Sequence, residues 1–273
     1  MCTLSYVHLQ TPHMAQMKAF YFEQMGMSQV SDIGAESILL SGRARQILLN
    51  SGERAALKEI GLEVTASRWR EAFKLLRSLG AVTVEQHSMF KKALSITDPD
   101  GNRIVFGVGS RQKKRVNRQQ SLIARLQHFG LGSARIAELV AFYQNKIGFA
   151  LSDYVTGEDR KLRSTFLRGS DEHHLLAVFG NGQPGLDHFS FEAEDWNGIR
   201  DWADHFAQCG TKIFWGAGRH GVGNNLFIFV HDPDGNMVEI SAELEQVPFG
   251  KPAGHWSFDY KAFNLWGPAA LRV

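Results

Sequence analysis

The stretch "VHDPDGNMVEIS", Val230 to Ser241, is nearly a copy of "ITDPDGNRIVFG", Ile96 to Gly107. Each reads as a strand, a tight turn and a second strand. In D-P-D-G-N the proline fixes φ, and the Asp, Gly and Asn that follow accept the turn's backbone. One position breaks the parallel: Glu239 stands in an apolar strand where the first copy has Val105. A carboxylate in such a strand needs a partner.

The repeat runs outward from this hairpin. "YVHLQTPHMAQMKAFYFEQMGM" (Tyr6 to Met27) parallels "LQHFGLGSARIAELVAFYQNKIGF" (Leu126 to Phe149), each a short strand followed by an amphipathic helix. Ile136, Leu139, Val140, Tyr143 and Ile147 follow the spacing of one buried helix face. "EIGLEV" (Glu59 to Val64) matches "HFSFEA" (His188 to Ala193), and each is followed by a helix that stops at Gly. Each half therefore holds two strand–helix–strands units, and the two halves make two α+β domains. Residues 1–110 form the first and 125–245 the second. The basic, non-periodic run "RQKKRVNRQQ" (Arg111 to Gln120) sits in a solvated linker, 111–124, and an aromatic tail follows at 246–273.

Composition bounds the rest. The 273 residues are 44% hydrophobic and 21% charged, which suits a soluble globular chain with a core in each half. A net charge of +2 gives no general nucleic-acid surface. Cys2 and Cys209 form no disulfide framework, which fits a reducing compartment. With no signal peptide and no membrane-length apolar run in view, a cytoplasmic location is the expectation.

Alternate side chains of a strand face opposite sides of a sheet. Phe189, Phe191, Val238 and Ile240 correspond to Ile60, Leu62, Ile104 and Phe106, and all are apolar, as a face packed under helices requires. The other face carries His188 and Glu239 in the second half but Glu59 and Val105 in the first. His128 opens the first strand of the second half and can join His188 and Glu239. Two imidazoles and a carboxylate can hold one face of a metal's coordination sphere and leave positions open, as in non-haem Fe(II) oxygenases. A histidine on a strand is also commonly a hydrogen-bonded structural residue.

Taken together, "LQHFGL", "DEHHLLAVF", "LDHFSF", "GRHGVGNNLFIFVHDPDGN" and "MVEIS" resemble, in that order, the type I extradiol ring-cleavage dioxygenases of the vicinal oxygen chelate superfamily. The resemblance implies paired βαβββ modules, each pair curving into an incomplete barrel around a cavity. It implies His128, His188 and Glu239 as ligands of Fe(II), with Mn(II) as the other candidate. It implies His174 as the acid–base residue, His220 as a second catalytic histidine, and Asn224 as a polar substrate contact. His173, read as the strand neighbour of His174, would point away and shape the pocket. The substrates implied are a catechol and dioxygen, in a cytoplasmic homo-oligomer of aromatic catabolism with no nucleic-acid or membrane partner.

The first half is implied to be a metal-free scaffold: His8 is retained, but Glu59 and Val105 replace His and Glu. The chain departs from its family at Phe229, where a tyrosine usually stands nine residues after the histidine of "GRH". The missing hydroxyl is dispensable, supplied by Tyr154 or Tyr260, or matched to a different substrate. The tail is a lid over the cavity mouth or packs across the surface, with packing favoured for Trp256 and Trp266. Two rival readings remain: another metal enzyme of the superfamily, such as a glyoxalase or epimerase, and a metal-free binding protein of the same fold.

Overall fold

The computed structural model describes residues 2–32, 37–42, 45–110, 122–248 and 250–267, so the basic run Arg111 to Gln120 lies outside the described residues. Two sheets account for most of them. The first contains β1 (Cys2–Thr11), β2 (Ser28–Asp32), β3 (Ser37–Gly42), β4 (Arg45–Ser51), β5 (Ala56–Val64), β6 (Val82–Thr83), β7 (Phe90–Thr97) and β8 (Arg103–Ser110). The second contains β9 (Arg125–Gly132), β10 (Ala150–Thr156), β11 (Leu162–Arg168), β12 (Leu176–Phe179), β13 (Gly185–Ala193), β14 (Trp215–Arg219), β15 (Leu226–His231), β16 (Met237–Ala242) and β17 (Gly254–Ser257). Their orders are β2-β3-β4-β1-β5-β8-β7-β6 and β14-β15-β16-β13-β9-β12-β11-β10-β17. Read in reverse, the second order is the first with every strand number raised by eight, plus β17 at one edge. The sequence repeat is thus a repeat of topology.

Helices α1 (Met14–Glu23), α2 (Trp69–Ser78), α3 (Ile136–Ala141) and α4 (Trp196–Gln208) follow the opening strands of the four modules, and α5 (Tyr260–Phe263) lies in the tail. The opening and closing strands of each module pair are parallel or neighbouring, β1 with β4 and β5 with β8 among them. Neither sheet closes into a barrel. The helix of "IAELVAFYQNKIGF" widens after Ala141 into a π-helical turn, Phe142–Ile147, which periodicity alone did not foresee. Of its expected inward face, Leu139, Val140, Tyr143 and Ile147 are buried, and Ile136 is half-buried against the core. All eight residues of the two packing faces, Ile60, Leu62, Ile104 and Phe106 with Phe189, Phe191, Val238 and Ile240, lie in one core that spans both halves.

The repeated turns have a reciprocal task. Tyr21 of α1 donates its hydroxyl to Asp232 Oδ2 at 3.1 Å, and Tyr143, its counterpart in the second half, donates to Asp98 Oδ2 at 3.0 Å. Asp98 and Asp232 are the first aspartates of the two D-P-D-G-N turns. Each also accepts an amide N–H from the turn's own asparagine, Asn102 or Asn236. His13 meets Asp234 at 2.8 Å, and Arg135 meets Asp100 at 3.4 Å, so the third residue of each turn is engaged across the interface as well. Each half thereby clasps the first helix of the other.

The concave faces differ. In the first half Tyr6, Leu39, Leu48, Met89, Phe90, Ala93 and Val105 fill the interior as a compact apolar cluster. In the second half the smaller cluster of Val155, Phe166, Ala177, Val222 and Ala262 leaves space.

Burial pushes the Asp232 carboxyl up to about 6, although its bonds from Asn236 and Tyr21 act the other way. An unfolded chain titrates near about 3.9. The raised folded value means that this group favours folding fully below about pH 4 and that the contribution is lost as pH rises through about 6. In urea titrations across that window, Asp232→Asn should flatten part of the fall in unfolding free energy seen with the native chain.

Candidate metal centre and its cavity

Three central strands place the polar residues. In the ladder between β9 and β13, His128 is opposite Ser190, and between β13 and β16 Ser190 is opposite Glu239. His188 lies two residues before Ser190 and so shares its face. Gly130 stands opposite His188, and a Cβ there would lie 2.6 Å from the imidazole, so only glycine leaves that ring its place.

The three side chains converge. His128 Nε2 is 2.9 Å from Glu239 Oε2 and 3.2 Å from His188 Nε2, and His188 Nε2 is 3.9 Å from the same carboxylate oxygen. All three are buried, Glu239 at 1% exposure. Their outer contacts decide what they offer. Gln127 donates its amide to the carbonyl of His174 at 2.8 Å, which turns its oxygen toward His128 Nδ1. His188 Nδ1 faces Asp187 Oδ1 at 2.8 Å. Both Nδ1 atoms therefore donate, and both Nε2 lone pairs point at a carboxylate oxygen. Three buried acceptors facing one another need a proton or a cation between them. Ligating atoms that all lie within 4.8 Å of one another fit a divalent metal.

The charges respond to this crowding. Burial alone would raise the Glu239 carboxyl, but His128 and His220 outweigh it and hold the group well below the usual carboxylate range. Burial also lowers His128 despite Glu239 beside it. His188 is raised, because Asp187 and Glu239 overcome its burial. His174 is held well below the ordinary imidazole value by burial and by the facing His128 and His173, so it is neutral at neutral pH.

A cavity opens on this centre. Its walls include His128, His174, His188, His220, Phe229 and Glu239, all expected there. Phe229 is stacked on Trp215, with ring centroids 5.0 Å apart, and meets His188 edge-on. The ring of His220 lies flat on Phe227 at 3.9 Å, its Nδ1 donates to the carbonyl of Phe263, and its Nε2 is 3.6 Å from Glu239 Oε1.

Two expected residues are placed differently. Asn224 is exposed with φ of 54°, and its carbonyl accepts a bond from Arg219. Its neighbour Asn225 enters the cavity instead and donates to Glu239 Oε1 at 3.2 Å. The left-handed backbone at Asn224 turns the chain by one residue, which spacing could not reveal. His173 does not line the cavity, and it is not a strand neighbour of His174, because β12 begins only at Leu176. Off the strand the two rings do not alternate, and their Nδ1 atoms meet at 3.0 Å. Neither Tyr154 nor Tyr260 lines the cavity: Tyr154 stacks on His255, and Tyr260 is exposed.

Sequence reading missed Gln127, Asp187, Phe166, Phe179, Met237 and the tail residues Ala262 and Phe263. Gln127 and Asp187 had a signal, each being the residue just before a candidate ligand. The tail residues had none, since they reach the cavity only through the fold.

The first half answers the same electrostatic demand with side chains. Glu59 accepts the Tyr6 hydroxyl at 2.7 Å and pairs with Arg103 Nε at 3.0 Å, with His8 and His87 at 3.8 and 3.6 Å. Burial would raise Glu59, but the nearby His8 and His87 and the bond from the Tyr6 hydroxyl hold it well below the usual range. His87 Nδ1 accepts from the backbone N–H of Met89 and Phe90, so the neutral ring carries its proton on Nε2 and offers no lone pair to a metal. Arg103 occupies the repeat position of Met237. Its half-exposed guanidinium supplies the positive charge beside Glu59.

Residues 125–240 match the Glyoxalase/Bleomycin resistance protein/Dioxygenase superfamily, and residues 6–106 match a glyoxalase-like domain. The chain belongs to this superfamily and, within it, to the type I extradiol dioxygenases. Among characterised relatives, metapyrocatechase 2 of Cupriavidus necator is 28% identical over 80% of this chain and 74% of its own length. The 3-methylcatechol 2,3-dioxygenase of Pseudomonas putida is 24% identical over 97% of this chain and 96% of that protein. Homoprotocatechuate 2,3-dioxygenase from Arthrobacter globiformis superposes with a TM-score of 0.83 at 21% identity, covering 98% of this chain and 88% of its own. A Mn(II)-bound glyoxalase from Novosphingobium aromaticivorans superposes with a TM-score of 0.82 at 21% identity, covering 98% of this chain and 92% of its own. At that identity the superpositions speak for the fold alone.

Metal analysis of purified variants checks the placement of the centre. Glu239→Ala should lose most bound divalent metal, and Glu59→Ala should keep it. Equal loss from both would move the site.

Proposed function

We propose that the second domain cleaves a catechol ring by the extradiol route with dioxygen, at a divalent iron held by His128, His188 and Glu239, in aromatic-compound catabolism. Mn(II) is the alternative ion for the same donors. The observation that carries the reading is the cluster of three buried acceptors with His174 and His220 beside it in one aromatic-walled cavity. A glyoxalase or epimerase also needs metal donors, but it has no evident use for this pair of free imidazoles. A metal-free binder has no use for three converging acceptors.

When bound, the divalent ion supplies Lewis acidity that makes catechol hydroxyls easier to ionise, and open positions where substrate and dioxygen meet. The chain supplies the rest. His174, neutral and facing the cavity, takes the proton of a catechol hydroxyl and later returns it to an oxygen of the opening ring, one group serving both steps. His220 presents Nε2 on the same side, with its ring fixed by Phe227 and the Phe263 carbonyl. Phe166, Phe179, Trp215 and Phe229 wall the ring and exclude water.

The walls also speak to the substrate. No Lys or Arg is among the described residues lining the cavity. A carboxylate on the ring would lose its hydration there with no cation to meet it. The preferred substrate is thus a catechol with an uncharged, apolar substituent, and Phe229 provides an apolar contact where the family tyrosine would offer a hydroxyl.

Assembly into a homo-oligomer belongs to the same reading, and Phe73 and Leu75 are both exposed on α2. So does a cytoplasmic location, which suits two cysteines that form no disulfide. Among the described residues no helix is long and apolar enough to cross a membrane.

His174→Ala should keep its metal and still bind catechol, with turnover falling by roughly 10²–10⁴-fold. Loss of metal on the scale of His188→Ala would instead make His174 a ligand. Phe229→Tyr should change turnover by about tenfold at most, because one hydrogen bond contributes about 0.5–1.5 kcal/mol. Its larger effect should be on selectivity, measured as kcat/KM for an alkylcatechol against a carboxylated catechol. The native chain should favour the alkylcatechol by about tenfold or more. Preference for the carboxylated ring would refute the substrate class.

A further inference from the structure

Behind His174, away from the cavity, lies a second pair of polar groups that the chemistry above leaves unused. His173 is 1% exposed and does not line the cavity. Its Nδ1 is 3.0 Å from His174 Nδ1, and its Nε2 is 3.2 Å from Asp153 Oδ2 on β10. His173 Nε2 makes no full hydrogen bond there, yet a negative charge at that distance still favours the proton on His173 Nε2. Asp153 is itself tied to the tail. Its Oδ1 accepts the backbone N–H of Gly254 at 3.0 Å, and its Oδ2 accepts the indole N–H of Trp256 at 2.8 Å. A Cβ at residue 254 would lie 2.3 Å from Asp153 Oδ1, so the close approach of β17 requires glycine there. Burial raises this carboxyl, but the nearby His173 and the bonds from Trp256 and Gly254 outweigh it and keep it an anion.

The backbone around the pair is pinned as well. The His173 N–H donates to the carbonyl of Glu245 at 2.9 Å, and its own carbonyl accepts the Ser152 hydroxyl, which in turn accepts from Arg168 at 2.9 Å. The His174 carbonyl accepts the Gln127 amide. Phe166 borders both rings.

We propose that Asp153 and His173 are positioning residues that hold the proton of His174 on Nδ1, so that its Nε2 presents a lone pair to the cavity. The inference rests on the reading of His174 as the acid–base group. Its logic is a chain of single choices. A neutral His173 with its proton on Nε2, toward Asp153, has only a lone pair at Nδ1. That lone pair takes the Nδ1–H of His174, which leaves His174 Nε2 bare toward the catechol. A neutral histidine with its proton on the wrong nitrogen is a donor where a base is needed, and in hydrolases that use a carboxylate to orient a histidine this error costs several orders of magnitude in turnover. The tail strand β17, by fixing Asp153, sits at the start of this chain of bonds.

The test reads the tautomer directly. Full-length protein with ¹⁵N-labelled histidine, carrying diamagnetic Zn(II), is examined by long-range ¹H–¹⁵N NMR, with the His174 signal assigned by its loss in His174→Ala. The native chain should show His174 protonated at Nδ1, and Asp153→Asn should move that proton to Nε2. Turnover of Asp153→Asn on an alkylcatechol should fall by roughly 10²–10³-fold, with KM and metal content unchanged. His173→Phe, which keeps the ring volume, serves if Asp153→Asn does not fold, and should produce the same shift. Native His174 protonated at Nε2, or a tautomer unmoved in the variant that folds, would overturn the proposal. A native chain that holds His174 at Nδ1 but cleaves no catechol would leave the relay standing and defeat the proposed function instead.

Discussion

Two imidazole lone pairs and a carboxylate oxygen meet in a buried interior, and positive charge must stand among them. Most features of the second half follow from that need. Gln127 and Asp187 turn the outer nitrogens of His128 and His188 into donors, which commits both inner lone pairs to the centre. Asn225 supplies the hydrogen bond that Glu239 Oε1 would otherwise lack. An unpaired buried carboxylate is costly enough, by several kcal/mol in rough terms, that no fold leaves one by accident. The first half meets a related need with a side chain, through Arg103 at Glu59. Its interior is then filled by Tyr6, Phe90 and Val105. With Met237 where the first half has Arg103, and Glu239 where it has Val105, the second interior is open and charged.

The scaffold makes such a centre affordable because its strands cannot shift independently. His128, His188 and Glu239 lie on three adjoining central strands, where ladder hydrogen bonds fix the register and the opposite face is sealed by the common core. The reciprocal bonds of Tyr21 to Asp232 and Tyr143 to Asp98 tie the two sheets together at the turns next to β16 and β8. The duplicated D-P-D-G-N turn thus does more than reverse the chain. Each copy is an acceptor for the other half's first helix, which explains why both copies keep the aspartate although only one adjoins a polar site.

The tail joins the site from outside the repeat. β17 extends the second sheet and fixes Asp153, α5 brings Ala262 and Phe263 to the cavity wall, and the Phe263 carbonyl fixes His220. Trp256 packs against the interior cluster while Trp266 stays exposed against Trp196. The tail is therefore both wall and support.

The duplication, the packing faces, the replacement of the ligand set in the first half and the three converging acceptors were all legible in the chain, because strand period two and a side-by-side reading of the copies assign each residue a face without any coordinates. Residues one place off that rhythm were not legible. Asn225 rather than Asn224 enters the cavity because a left-handed residue turns the loop between them. His173 points away from the cavity as expected, but its ring backs that of His174, because the pair lies just before β12, where strand alternation does not apply. Asp153, Gly254 and Phe263 lie far from the histidines they support in sequence, and no local pattern links them. Sequence determined which faces carry chemistry, since that depends on local periodicity. Only the tertiary structure decided which nitrogen of each histidine is free, because that depends on partners brought together from distant segments.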